Sequence, residues 1–332
     1  MLRARFVYLG SRFLQMLVVL WAIATILFLI FRYMPGSPLT AYIDPTFTQE
    51  QEAAVRKQFG LDDPMIVQYG IYLKNLTQGN LGVSFFQKQP VWDVLMDAAP
   101  NTIILTSIAL LIAYIWGVVI GSFFAWWRGS RFENTGILLT LMTRAAPEFF
   151  VGMLLLSLFS FNLGWFPTSG IAGPGVLFDS VWAQLRSGDF WRHMILPVAT
   201  MAIYLQGLPT LLMRSNMLEV LDEDYVVMAR MKGFSEWRIM MAHAARNAML
   251  PIVTAMTLGV GYAVGGNVVV ETVFSWPGIG QLLVRAVQSH DYPLAQGAFL
   301  LIAVVIVVMN FVADVFYSIL DPRVSTTRNE VG

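Results

Sequence analysis

Residues 98–127, AAPNTIILTSIALLIAYIWGVVIGSFFAWW, run for thirty positions without Asp, Glu, Lys or Arg. A helix needs only ~20 apolar residues to cross ~30 Å of hydrocarbon, so this stretch is long enough to span a membrane. Working outward, residues 13–31, 193–213, 247–270 and 292–313 are four more windows free of those charges, and residues 134–163 form a sixth interrupted only by Arg144 and Glu148. Lipid offers backbone groups no partners, which leaves helices or closed barrels; the runs are continuous rather than alternating, which selects helices. The expected fold is therefore all-α and polytopic, with six transmembrane helices. The first run exceeds a signal-peptide core, and Arg32-Tyr33-Met34-Pro35 is no small-residue cleavage site, so it reads as a retained helix.

Composition agrees. Hydrophobic residues make up 57% of the 332 positions and charged residues 13%, about half the ~25% charge of a soluble domain. Twenty-one basic residues balance twenty-one acidic ones, so nucleic acid is not an expected partner. The absence of Cys removes disulfides, thiolate metal sites and cysteine nucleophiles. His193, His243 and His290 lie far apart and suggest no metal cluster.

Charge sets the expected orientation. With the N-terminus inside, the cytoplasmic pieces hold 12 Lys and Arg and the outer pieces 7, in about 70 and about 120 residues respectively; the bias places both termini in the cytoplasm. The chain then divides into a tail and first helix (1–34), an outer segment (35–97), a core of helices two to six (98–319) and a cytoplasmic tail (320–332). The outer segment carries helix signals. Thr48 and Gln51 fit a capping box, Ala54, Val55 and Phe59 share a face, and Gly60 can close the helix. After Pro64, the residues Ile66, Tyr69, Leu73 and Leu76 recur at helical spacing, and a turn follows at Gly79–Gly82. This segment is expected to form a small helical cap on the outer face.

The inner loop 214–246 is the most informative connector. Asp222, Glu223 and Asp224 open a helix that Arg230 and Lys232 close, in agreement with the helix macrodipole, and Gly233 can take the left-handed C′ position. Ser235 can cap a second helix. By itself this describes either a partner-docking elbow or a charged connector.

Asp224-Tyr225-Val226-Val227-Met228-Ala229-Arg230-Met231-Lys232-Gly233 with Arg246-Asn247-Ala248-Met249-Leu250-Pro251 resembles the EAA loop of ATP-binding-cassette importer permeases. Gly60-Leu61-Asp62, Glu271 to Gly278, Asp291-Tyr292-Pro293 and Asp321-Pro322-Arg323 fall in the order of the dipeptide/oligopeptide/nickel (DppB/OppB-like) subfamily. The resemblance implies the type I importer permease fold, half of a heterodimeric pore with a paralogous second permease, placed in a bacterial inner membrane. Two cytoplasmic ATPase subunits that bind ATP and Mg, and an extracytoplasmic substrate-binding protein, would complete the assembly. Asp224, Tyr225, Met228, Ala229, Arg230, Lys232 and Gly233 would form the ATPase-docking coupling helix, with Ala229 permitting close approach. No Gly-Lys pair occurs, so no Walker A loop is present; the chain is expected to be a transport subunit, not an enzyme, without a cofactor of its own. Peptides are the expected substrate.

Two charges fall inside an expected span. Arg144 sits near its middle, with Glu148 one turn on and Pro147 between them. The spacing predicts a mutual ion pair beside a kink. Intramembrane charges usually face a cavity or pathway, so Arg144 and Glu148, with Asn267 beyond the Gly259–Gly266 stretch, are candidate pore residues; a purely structural pair is the competing reading. An ATP-independent transporter or channel is the alternative; such folds often show inverted repeats or broken helices in paired halves, and no convincing internal repeat is present.

Overall fold

The computed structural model describes residues 2–33, 63–249, 251–253, 255–256, 259 and 267–320. Thr48, Gln51, Ala54, Val55, Phe59 and Gly60 lie outside them, as does part of the fifth apolar run, including residues 260–266. Among the described residues the regular elements are helices, with one isolated bridge between Val83 and Pro90. In chain order they are α1 (Leu2–Tyr33), α2 (Met65–Thr77), α3 (Val91–Trp126), α4 (Arg131–Ala145), α5 (Glu148–Leu155, continued by a π-turn Leu156–Asn162), α6 (Val181–Arg186), α7 (Gly188–Leu205), α8 (Gly207–Leu221) and α9 (Asp224–Met231). They continue with α10 (Glu236–Arg238, then a π-turn Ile239–Ala245 and Arg246–Ala248), α11 (Val268–Val273), α12 (Ile279–Gln288) and α13 (Tyr292–Leu320).

Among the described residues, three helical stretches are long and apolar enough to cross a membrane unaided: Leu9–Tyr33, Val91–Trp126 and Tyr292–Val312. Two bent pairs have the same character. Arg131–Ala145 and Glu148–Asn162 meet at 102°, and Gly188–Leu205 and Gly207–Leu221 at 43°. The first break falls at Pro147, which has no N–H to give to the carbonyl one turn back and clashes with it.

Packing groups the chain into two compact units, one of residues 1–102 with 277–332 and one of residues 103–276. In the first, α1 lies along α13 through Phe13–Phe311 and Phe31–Tyr292 ring contacts, and Arg12 Nε is 3.4 Å from Asp314 Oδ2. Helix α2, at the position the spacing after Pro64 predicts, joins α1 through Thr25 Oγ1 and Tyr69 Oη at 2.6 Å and through Phe28 stacked on Tyr72. The turn ahead of α3 has left-handed Gly79 and Gly82 and is pinned by the fully buried Asp291, whose carboxylate accepts from Ser84 Oγ and from the N–H groups of Phe85, Phe86 and Leu294.

In the second unit, α3 and α8 approach backbone to backbone. A Cβ at Gly117 would sit 2.7 Å from Pro209 Cγ, and one at Gly121 would strike the Thr210 carbonyl oxygen. Small residues permit such approach between membrane helices. Helix α4 is bound to α8 by charge. Ser130 caps α4 by accepting from Glu133 N, while Glu133 Oε2 reaches back to accept from Gly129 N, one residue before the cap, at 2.5 Å, a variant of the capping box. The other oxygen, Oε1, accepts from Arg214 Nε at 2.7 Å and Nη2 at 2.6 Å.

Replacing Gly121 by Leu should lower the thermal unfolding midpoint of the detergent-solubilised protein by several degrees, since backbone rather than a flexible side chain blocks the new atoms. Glu133→Ala should cost toward the lower end of about 3–5 kcal/mol, because it strands a buried guanidinium contact whose Arg214 side is one-third exposed. Tryptophan fluorescence during heating checks both; unchanged midpoints would contradict this account of the α3–α4–α8 seat.

Candidate functional site

Helix α9 is a short two-faced element held on the end of α8. Asp224 lies in its first turn and Arg230 in its last, as the macrodipole favours. It is shorter than the expected Asp222–Lys232, since Glu223 is extended and serves as N-cap. Gly233 ends it with φ +76°, its N–H donating to Arg230 O and that of Phe234 to Ala229 O. Ser235 occupies the N-cap position of α10, but its side chain makes no capping hydrogen bond.

The inner face of α9 belongs to the chain's own core. Val226 and Ala229 are buried with Ile239, ringed by Trp126, Val220, Leu221 and Phe234. This corrects the expectation for Ala229: at 4% exposure it is turned inward, and its small size serves the seating of α9 rather than direct contact with another subunit. The outer face presents Tyr225, Val227, Met228 and Met231, the last two 54% and 83% exposed. Polar contacts brace the element. Asn247 Nδ2 donates to Tyr225 Oη at 2.8 Å, and the Arg230 guanidinium lies 5.8 Å from the Trp126 ring. Beyond the turn, Arg238 and His243 both lie against Phe234, the His243 ring nearly parallel to it.

The second candidate site is the break between α4 and α5. The expected Arg144–Glu148 ion pair is not formed. Spacing of four places two residues on one face only if the helix continues, and here it turns through 102° between them. Glu148 instead meets Asn267, whose Nδ2 donates to Oε2 at 2.6 Å. The Asn267 Oδ1 is engaged as the cap of α11, accepting from Val269 N and Val270 N at 3.1 Å each. Arg144 lies elsewhere, its aliphatic stem over Gly207, where a Cβ would sit 3.3 Å from Arg144 Cδ. Among the described residues no carboxylate pairs with its guanidinium.

The sequence reading missed Gln206, the residue at the α7–α8 bend. Its Nε2 donates to Thr143 Oγ1 at 3.2 Å and its Oε1 accepts from Thr210 Oγ1 at 2.8 Å, so both helix breaks are tied together. Nothing local marks it. Glu133 did carry a signal, the Ser-x-x-Glu spacing from Ser130, which was legible as a capping box. Among the described residues no group of three or more His, Asp and Glu could hold a metal.

Residues 117–326 match the family described as binding-protein-dependent transport system inner membrane component, and residues 3–106 match its N-terminal companion. The chain belongs to this family. It is an inner-membrane, multi-pass permease subunit of an ATP-binding-cassette importer, a transport component that works with ATPase and substrate-binding partners. The oligopeptide transport system permease protein AppB of Bacillus subtilis is 35% identical over 318 residues, covering 96% of this chain and 98% of its own. The glutathione transport system permease protein GsiC of Salmonella choleraesuis is 35% identical over 317 residues, with the same coverage, and GsiC of Escherichia coli O6:H1 is 34% identical.

The two faces of α9 should respond differently to substitution. Ala229→Asp places a carboxylate in the Val226–Ile239 cluster, and Gly233→Val forces a β-branched residue to a positive φ; both should expose the elbow to limited proteolysis at least tenfold faster. Met231→Asp should leave the cleavage rate of the purified permease unchanged. Equal sensitivity in all three would contradict the assignment of faces.

Proposed function

We propose that this permease moves peptides into the cytoplasm, as half of a heterodimeric pore formed with a second, paralogous permease, and that α9 is the coupling helix gripped by an ATPase partner that binds ATP and Mg. The observation that carries the reading is the division of α9: one side locked by Val226 and Ala229 into the chain's own core, the other offering Tyr225, Val227, Met228 and Met231 to something outside it. An apolar centre with Lys232 and Arg230 at its rim is the anatomy of a docking patch. Methionines suit it, because a flexible thioether can conform to a partner surface that moves. Asp224 and Gly233 shape the helix ends and Ala229 holds it down, so all seven residues serve docking, three of them by positioning.

The reading includes six spans, the fifth formed by the 247–270 run, with both termini cytoplasmic and the α2 region part of an outer cap. Peptide cargo is supported by the relatives named for oligopeptide and glutathione transport. Arg144, Glu148 and Asn267 are placed on the transport pathway, because membrane-depth charges without a mutual partner are costly unless they face a cavity or ligand.

Met228→Asp with Met231→Asp should cut co-purification of the ATPase at least tenfold and abolish ATP-driven uptake, with the permease's own unfolding midpoint unchanged. Wild-type amounts of bound ATPase would overturn the docking role. The sequence has no Cys, so Met231→Cys gives a single thiol for topology. It should react with a membrane-impermeant maleimide in inverted vesicles and not in intact spheroplasts; labelling from the outer side would overturn the orientation.

A further inference from the structure

Glu148 is an acceptor held in a fixed pose with half its capacity unused. Its Oε2 is taken by Asn267 Nδ2 at 2.6 Å. That amide cannot swing aside without giving up the two N–H groups it caps on α11. The remaining oxygen, Oε1, is shielded from solvent and has no hydrogen-bond partner among the described residues. A carboxylate oxygen in this condition is expensive to maintain unless a donor arrives to use it. Across the same break, Arg144 is anchored by its stem over Gly207 and has no described carboxylate beside it.

An unbroken helix would have paired these two charges. The 102° turn at Pro147 separates them and leaves each, among the described residues, without an opposite charge beside it. We propose that this pair receives the two ends of a zwitterionic peptide, the α-ammonium donating to Glu148 Oε1 and the α-carboxylate accepting from the Arg144 guanidinium. The inference rests on the reading of this span as part of the peptide pathway. The ligand class follows from the chemistry. An ammonium carries only donors and suits a lone shielded carboxylate oxygen; a planar guanidinium suits a carboxylate bidentately. A solute with one charge would satisfy one arm and leave the other unpaired, so the arrangement favours molecules carrying both.

The test uses the complete reconstituted complex in liposomes, with the substrate-binding partner saturated beforehand so that its own selectivity drops out. The probes are trialanine, N-acetyl-trialanine and trialanine amide. The wild-type complex should move the free peptide at least tenfold faster than either blocked form. Glu148→Gln should slow free and amidated peptides about tenfold more than the acetylated one, and Arg144→Gln should slow free and acetylated peptides about tenfold more than the amide. Equal transport of the three probes by the wild type, which needs no variant to fold, would overturn the proposal. So would variants that depress all three alike, the result a purely structural pair would give. Failure of the wild type to move any of the three would instead bring down peptide import itself, and the two failures are thereby distinct.

Discussion

The close seat of α8 on α3 is the contact from which the functional geometry hangs. Gly117 and Gly121 remove the side chains that would hold the two backbones apart, and Pro209, Thr210 and Met213 fill the space. Contact at that distance gains dispersion along its length but has no tolerance for an added carbon. The Glu133–Arg214 pair then fixes α4 against the same helix with two hydrogen bonds, on an acid already spent in capping α4. Helix α9 follows α8 after two residues, so the elbow inherits its position from this three-helix block rather than from flexible chain.

A broken helix in lipid must find partners for the peptide groups it frees. Side chains tie the two breaks in this unit together: Gln206 at the α7–α8 bend reaches Thr143 beside the α4–α5 break, and Thr210 returns to both the Gln206 side chain and its carbonyl. The two discontinuities are thus one connected layer, and the charged groups of the candidate pathway sit at it. Irregular backbone at membrane depth is tolerated where it is buried in protein or lines a cavity.

Much of this was legible in the residues themselves. Runs without charge located the three long apolar helices and the two bent pairs, because hydrocarbon penalises every exception, and Pro147 announced its break because it lacks a donor. Acid at the start of α9, base at its end and glycine after it gave the elbow and the left-handed Gly233. What could not be read were relations set by chain elements far apart. The burial of Ala229 depends on Trp126, about a hundred residues earlier, and on Phe234 and Ile239 beyond the turn. The partner of Glu148 is 119 positions away, and that of Arg214 is 81. Helical spacing misassigned the Arg144–Glu148 pair for a definite reason: periodicity presumes continuity, and the residue that ends continuity lies between them.

The opposed faces of α9 also bear on how such a subunit can diverge. Its inward residues are answerable to Trp126 and Ile239, so they can drift only in concert with that cluster. Of its outward residues, Met228 and Met231 are more than half exposed, while Tyr225 is held only by Asn247 among the described residues. Sequence change at Met228 and Met231 leaves the Val226–Ala229–Ile239 cluster undisturbed, so the two sides of this eight-residue helix are under separate packing constraints.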